Sequence, residues 1–119
     1  LFAAIALLAD RTGGPGLLIW LMTGGVFLGD ATLTLVRRML RGERWYAAHK
    51  SHAYQRAVQS GWSHQRVSAA ALFLCLVGAG LGWVALRYPA WQWWAVATEG
   101  ALLLGVYLLV ETRAPMRPA

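Results

Sequence analysis

Four stretches of the chain are apolar enough for a membrane interior, and short polar breaks separate them. Residues 1–9 (LFAAIALLA) are apolar from the first position; residues 17–36 carry one charge, Asp30; residues 67–86 carry none; residues 92–110 carry only Glu99. A helix needs about 20 residues to cross the hydrocarbon core of a bilayer. The last three stretches are therefore predicted to be full transmembrane helices. Residues 1–9 are too short for a span and read as the end of a truncated helix. The breaks at 10–16 (DRTGGPG) and 87–91 (RYPAW) hold the Gly and Pro that interrupt helices. None of the apolar stretches alternates as a transmembrane strand would. The expected fold is all-α: a polytopic transmembrane helical bundle of three full spans plus the end of a fourth, itself part of a larger bundle.

Composition strengthens the membrane reading. Hydrophobic residues make up 58% of the chain and charged residues 13%, against about 25% charged in ordinary soluble domains. The chain is short of the polar surface that water demands. Its seven Trp and thirteen Gly fit interfacial anchors and close helix packing respectively. The single Cys75 lies inside a span and has no cysteine with which to form an intramolecular disulfide.

The charges then set an orientation. Residues 37–66 hold Arg37, Arg38, Arg41, Arg44, Lys50, Arg56 and Arg66 against Glu43, a surplus equal to the net charge of +6 on the whole chain. The positive-inside rule places this loop in the cytoplasm. The turns at 10–16 and 87–91 then lie on the opposite side, and the tail 111–119 returns to the cytoplasm. Tyr88, Trp91, Trp93 and Trp94 suit an aromatic belt at the outer interface, and Trp45 and Tyr46 one at the inner interface.

The loop, RRMLRGERWYAAHKSHAYQRAVQSGWSHQR, admits two readings. As a topology anchor it attracts anionic lipid head groups, at about 1 kcal/mol per basic side chain near the surface. As a site it supplies arginines that hold phosphate oxygens in pairs and histidines that move protons near neutral pH. All three histidines, His49, His52 and His64, lie in it. His49 and His52 share a helical spacing, but no carboxylate or Cys stands beside them at a zinc-ligand spacing. Asp30 is a second candidate: a carboxylate about 9 Å inside the end of its span either serves function or pairs with Arg37 or Arg38. Glu99 lies nearer mid-membrane, where it either carries protons or packs as a buried carboxyl. Gly78, Gly80, Gly82, Gly100 and Gly105 suit close packing between the last two helices. No phosphate-cradling glycine loop, nucleophile elbow or dinucleotide fingerprint is present, and a basic loop held between two spans does not suit nucleic acid.

The stretch 29–66, and above all HKSHAYQ followed by GWSH, resembles the C-terminal region of bacterial polyprenyl-phosphate N-acetylhexosamine-1-phosphate transferases. These form part of the glycosyltransferase family 4 superfamily, and the similarity is to the branch that initiates O-antigen lipopolysaccharide. Three elements carry it: an acid near the end of a membrane helix (Asp30), a following arginine pair (Arg37, Arg38) and a histidine-containing cytoplasmic loop. Many members carry a loop motif Asp-Arg-x-His-x-His-His. On this chain His49 takes the Asp position, Lys50 the Arg position and His52 that of the first His. Tyr54 and Gln55 stand where the second and third His would be, a departure that the O-antigen branch shares.

The resemblance implies transfer of an N-acetylhexosamine-1-phosphate from a UDP-sugar to undecaprenyl phosphate at the bacterial inner membrane, assisted by Mg²⁺. It implies His52 as the catalytic residue and Lys50, Arg37, Arg38, His49 and Arg44 as phosphate-binding groups. Asp30, Tyr54 and Gln55 would be supports. The family's paired aspartates and its nucleotide-sugar segments lie upstream of the matched region. The similarity covers about the last third of such an enzyme, and the Mg²⁺ ligands are expected outside these residues. The competing expectation is a small non-enzymatic membrane protein whose basic loop binds anionic lipid or a partner protein.

Overall fold

Length and apolarity set the two longest elements. The computed structural model describes residues 1–14, 16–44, 46 and 52–115, and the described residues form helices with no strand. In chain order they are α1 (Phe2–Arg11), α2 (Leu17–Thr23), α3 (Gly25–Leu40), α4 (Ala53–Gln59), α5 (His64–Arg87), a 3-10 turn at Pro89–Trp91, and α6 (Gln92–Arg113). Helix α5 has 24 residues, about 36 Å at about 1.5 Å per residue, which exceeds the roughly 30 Å of a hydrocarbon core. It and the segment Pro89–Arg113 are long and apolar enough to cross a membrane. Leu72, Phe73, Leu76, Leu104, Leu108 and Leu109 stand exposed along them, as side chains facing lipid would. The chain is an all-helical membrane protein by these criteria.

The stretch 17–36 differs from the single straight span expected of it. It is a bent pair: α2 and α3 meet at 81° across Gly24. The candidate spans therefore number two, or three if the bent pair counts as one. Local chemistry accounts for the break. Thr23 donates its hydroxyl to Ile19 O at 2.9 Å, and Gly24–Gly25 supplies no side chain to hold a continuing turn; adjacent small residues of this kind are a recognised source of sharp kinks. Other boundaries shift less. Helix α1 runs on to Arg11, α3 reaches Leu40, α5 begins at His64, and α6 continues through Glu111 into the expected tail.

The core between the helices is small in volume. Met22, Ala85 and Ala95 are buried together, with Ile19, Leu81 and Val96 packed against them, so α2 lies in the groove where α5 and α6 meet. Of the glycines expected to close α5 on α6, Gly78 and Gly82 are buried, but their near neighbours include α2: Met22 O stands 3.0 Å from a Cβ built at Gly78, and Ile19 Cγ2 stands 3.5 Å from one at Gly82. Gly80, Gly100 and Gly105 have no such neighbour within 4 Å. The reason is angular. Residues four apart share a helix face, whereas Gly80 is turned about 200° from Gly78 at about 100° per residue.

At the other end, α3 and α4 both finish in the same capping turn. Gly42 N donates to Met39 O and Glu43 N to Arg38 O, both at 3.0 Å; Gly61 N donates to Val58 O at 3.0 Å and Trp62 N to Ala57 O at 3.2 Å. This pattern puts the residue after the cap in the left-handed region that suits Gly, and Gly42 (φ 67°) and Gly61 (φ 99°) occupy those places. Ser63 then opens α5, its Oγ accepting from Arg66 N at 3.3 Å. The loop thus holds a helix, α4, set between two sharp turns and packed against α5 and α6.

Candidate functional site

Asp30 is the residue that joins the loop to the bundle. It points from α3 toward the start of α4, where its Oδ1 accepts from Ala53 N at 2.7 Å and from the Thr34 hydroxyl at 3.1 Å. Thr34 is completely buried. The other oxygen, Oδ2, lies 3.7 Å from His52 Nδ1, beyond hydrogen-bond length but close enough for a direct electrostatic contact. Asp30 is therefore engaged by Thr34, Ala53 and His52, and not by Arg37 or Arg38. The His52 side chain is 29% exposed and that of Asp30 15%, so the pair can be reached from outside.

His52 occupies the residue before α4, where the chain is extended (φ −61°, ψ 147°). Two neighbours set its position. Gln55 Oε1 accepts from the His52 backbone N–H at 3.3 Å, and the Tyr54 ring stacks on the imidazole with centroids 5.9 Å apart and planes 19° from parallel. The two residues that replace histidines in the motif alignment thus both contact His52. The Asp30 carboxylate lies on the Nδ1 side of the ring.

The arginines go to two other places. Arg37 donates Nη2 to Glu111 Oε1 at 3.0 Å, with Nη1 2.8 Å from Oε2. Arg56, on α4, gives Nη1 to the same Glu111 Oε2 and, at 2.8 Å, to Ala114 O. Both guanidinium groups lie over the Tyr107 ring, at 5.9 and 5.3 Å from its centroid, a cation–π arrangement that adds to the ion pairs. Glu111 therefore ties α3, α4 and α6 together. Arg38 is 3% exposed and turns away from this group, with Nη1 3.2 Å from Glu43 Oε2 and Nη2 donating to Arg44 O at 2.8 Å. Only the backbone of Arg44 takes part there, and its side chain is exposed.

The expected site residues thus divide. Asp30, His52, Tyr54 and Gln55 form one cluster; Arg37 lies in a second and Arg38 with Arg44 in a third. His49 and Lys50 lie outside the described residues, as does Trp45 of the expected inner belt. Reasoning from sequence missed Thr34, Arg56, Tyr107 and Glu111. The antiparallel order of the spans carried a usable clue for one of these: the ends of α3 and α6 must lie at one level, which brings the acid at the end of the last span within reach of the arginines at the end of α3.

Glu99 makes a different kind of site. It is 5% exposed, and among the described residues neither carboxyl oxygen has a hydrogen-bond partner. Its carboxyl fits because two helices present glycines to it: a Cβ built on Gly78 would lie 2.9 Å from Oε1, and one built on Gly25 closer still. Among the described residues, no group of three or more His, Cys, Asp or Glu is placed to hold a metal ion. Compared with protein-family models, with curated proteins and with solved structures, the chain finds no match.

Proposed function

We propose that the chain is the C-terminal portion of a membrane transferase that moves an N-acetylhexosamine-1-phosphate from a UDP-sugar to undecaprenyl phosphate, with its basic loop on the cytoplasmic face of the bacterial inner membrane. In this reading the bent pair α2–α3 is one span of a larger bundle. The product would start a lipid-linked O-antigen or a related envelope polysaccharide.

The observation that carries the reading is the Asp30–His52 pair. A carboxylate from a membrane helix both anchors the loop helix through Ala53 N–H and stands 3.7 Å from the histidine ring. That is the arrangement of a positioned proton-transfer group, and it lies on the arginine-rich end of the bundle where two anionic substrates could meet. There, His52 would exchange a proton with a phosphate oxygen while Lys50, Arg37 and neighbouring cations offset charge in transfer. Mg²⁺, which the family resemblance implies, finds no ligand cluster among the described residues, and the roles assigned to this chain's residues do not pass through it.

The lipid-anchor alternative expects basic side chains to reach outward. Arg41, Arg44 and Arg66 are exposed, but Arg38 and Arg56 are 3% and 4% exposed and Arg37 is held by Glu111, so part of the loop's charge is built into the fold and is not a diffuse surface. Transfer of labelled sugar phosphate from a UDP-N-acetylhexosamine to undecaprenyl phosphate, by membranes containing the full-length protein, tests the proposal. His52→Ala should lower the rate by about 10²–10⁴ with membrane insertion intact. Unchanged turnover would remove His52 from the chemistry, and absence of transfer by the unaltered protein would remove the reading as a whole.

A further inference from the structure

Three helical threonines return their hydroxyls to the backbone. Thr23 donates to Ile19 O at 2.9 Å, Thr98 to Trp94 O at 2.8 Å and Thr112 to Leu109 O at 2.8 Å, a common choice for Thr inside a helix. Thr34 departs from it. Its hydroxyl donates to the Asp30 side chain, four residues back, at 3.1 Å, and Thr34 has no exposed surface. The fold thus directs a buried donor onto a carboxylate that faces the loop.

Two donors then meet on one oxygen. Asp30 Oδ1 takes the Thr34 hydroxyl from its own helix and the Ala53 N–H, at 2.7 Å, from α4. A carboxylate turns readily about its Cβ–Cγ bond, where the torsional wells are broad, and donors from two elements oppose that rotation. Oδ2 is thereby left toward His52 Nδ1, 3.7 Å away. Ala53 is the first residue of α4, and the first N–H groups of a helix have no partner within it. Asp30 supplies one.

We infer that Thr34 is a positioning residue for the His52 site: its hydroxyl sets the Asp30 carboxylate so that Oδ1 holds the start of α4 while Oδ2 faces the imidazole. Thr34 acts through Asp30 and takes no part in the chemistry itself. Its effect on rate rests on the transferase reading, whereas its hold on α4 does not. Misplacing a reacting group by about 1 Å costs about a hundredfold in rate, so a hydroxyl away from the reacting atoms can govern turnover.

The test uses the full-length protein, in membranes for sugar-phosphate transfer and in detergent micelles for amide hydrogen exchange. Thr34→Val keeps the shape and removes the hydroxyl. It should lower kcat by about ten- to a hundredfold with KM for both substrates within about twofold. It should also speed exchange of the Ala53 N–H while the amides of α5 keep their rates. Thr34→Ser restores the hydroxyl and should recover most of both losses. In an Asp30→Ala background the valine change should alter neither readout further, because the two residues act as a unit; a role in packing alone would give the same loss in either background. Thr34→Ala replaces the valine variant if that one fails to insert. Absence of transfer by the unaltered protein removes the transferase reading and leaves the exchange arm to decide. Unchanged Ala53 exchange, a serine variant no better than valine, or an equal loss without Asp30 overturns the positioning role. So does an unchanged kcat where the unaltered protein turns over.

Discussion

Glu111 and Glu99 stand twelve residues apart on α6, about 18 Å along the helix, and their surroundings differ in kind. Glu111 is 20% exposed and is held by two arginines from two other helices. Glu99 is more deeply buried, meets no cation among the described residues, and is accommodated by glycines of α3 and α5. The first joins elements through charge; the second is fitted by shape. A carboxylate at the edge of the apolar region can recruit long basic side chains whose other ends reach the polar surface, whereas in the middle of the bundle no such side chain is at hand. The helices there come close only because two positions lack a Cβ.

The largest effect expected from breaking this contrast is at the charged end. Glu111→Ala leaves Arg56 buried without its acid, and removal of one partner of a buried pair costs about 3–5 kcal/mol. Unfolding of the intact chain in mixed micelles, followed by the fluorescence of its seven tryptophans, should register that loss. A change within about 0.5 kcal/mol, the usual range for surface substitutions, would show that Glu111 does not hold the helices.

A smaller effect is expected at the shaped end. Gly25→Ala drives a methyl group into the Glu99 carboxyl, and overpacking of this type costs about 1–3 kcal/mol. Glu99→Ala introduced with it should recover most of the loss, a coupling that a double-mutant cycle measures. Strict additivity of the two changes would place the strain elsewhere. The smallest effect belongs to Glu99→Gln. The amide keeps the shape and breaks no ion pair, so the unfolding free energy should fall by well under the roughly 3–5 kcal/mol that loss of a buried pair's partner costs. A loss as large as that of Glu111→Ala would erase the distinction between the two carboxylates.

Legibility in the sequence followed the range of the forces involved. The runs at 67–86 and 92–110 became α5 and α6 because a continuous apolar stretch must satisfy its own backbone in lipid, and a helix does so within the segment. Asp30 and His52 stood out as chemistry at unusual places, yet nothing local showed that they would meet. Helix α4 was hidden because AYQRAVQ is too short to hold a helix alone; it is fastened by Asp30 at one end and by Arg56 to Glu111 on its side.

By itself, then, the sequence determined that this is a helical membrane protein with a strongly basic loop, since apolar length and charge are summed along the chain and need no partner. Tertiary structure alone decided the meeting of Arg37 with Glu111 across 74 positions and that of Arg56 with the same acid across 55. Those features exist because packing brings distant helix ends to one level, where a side chain must find a partner, a ligand or an empty space made by glycine.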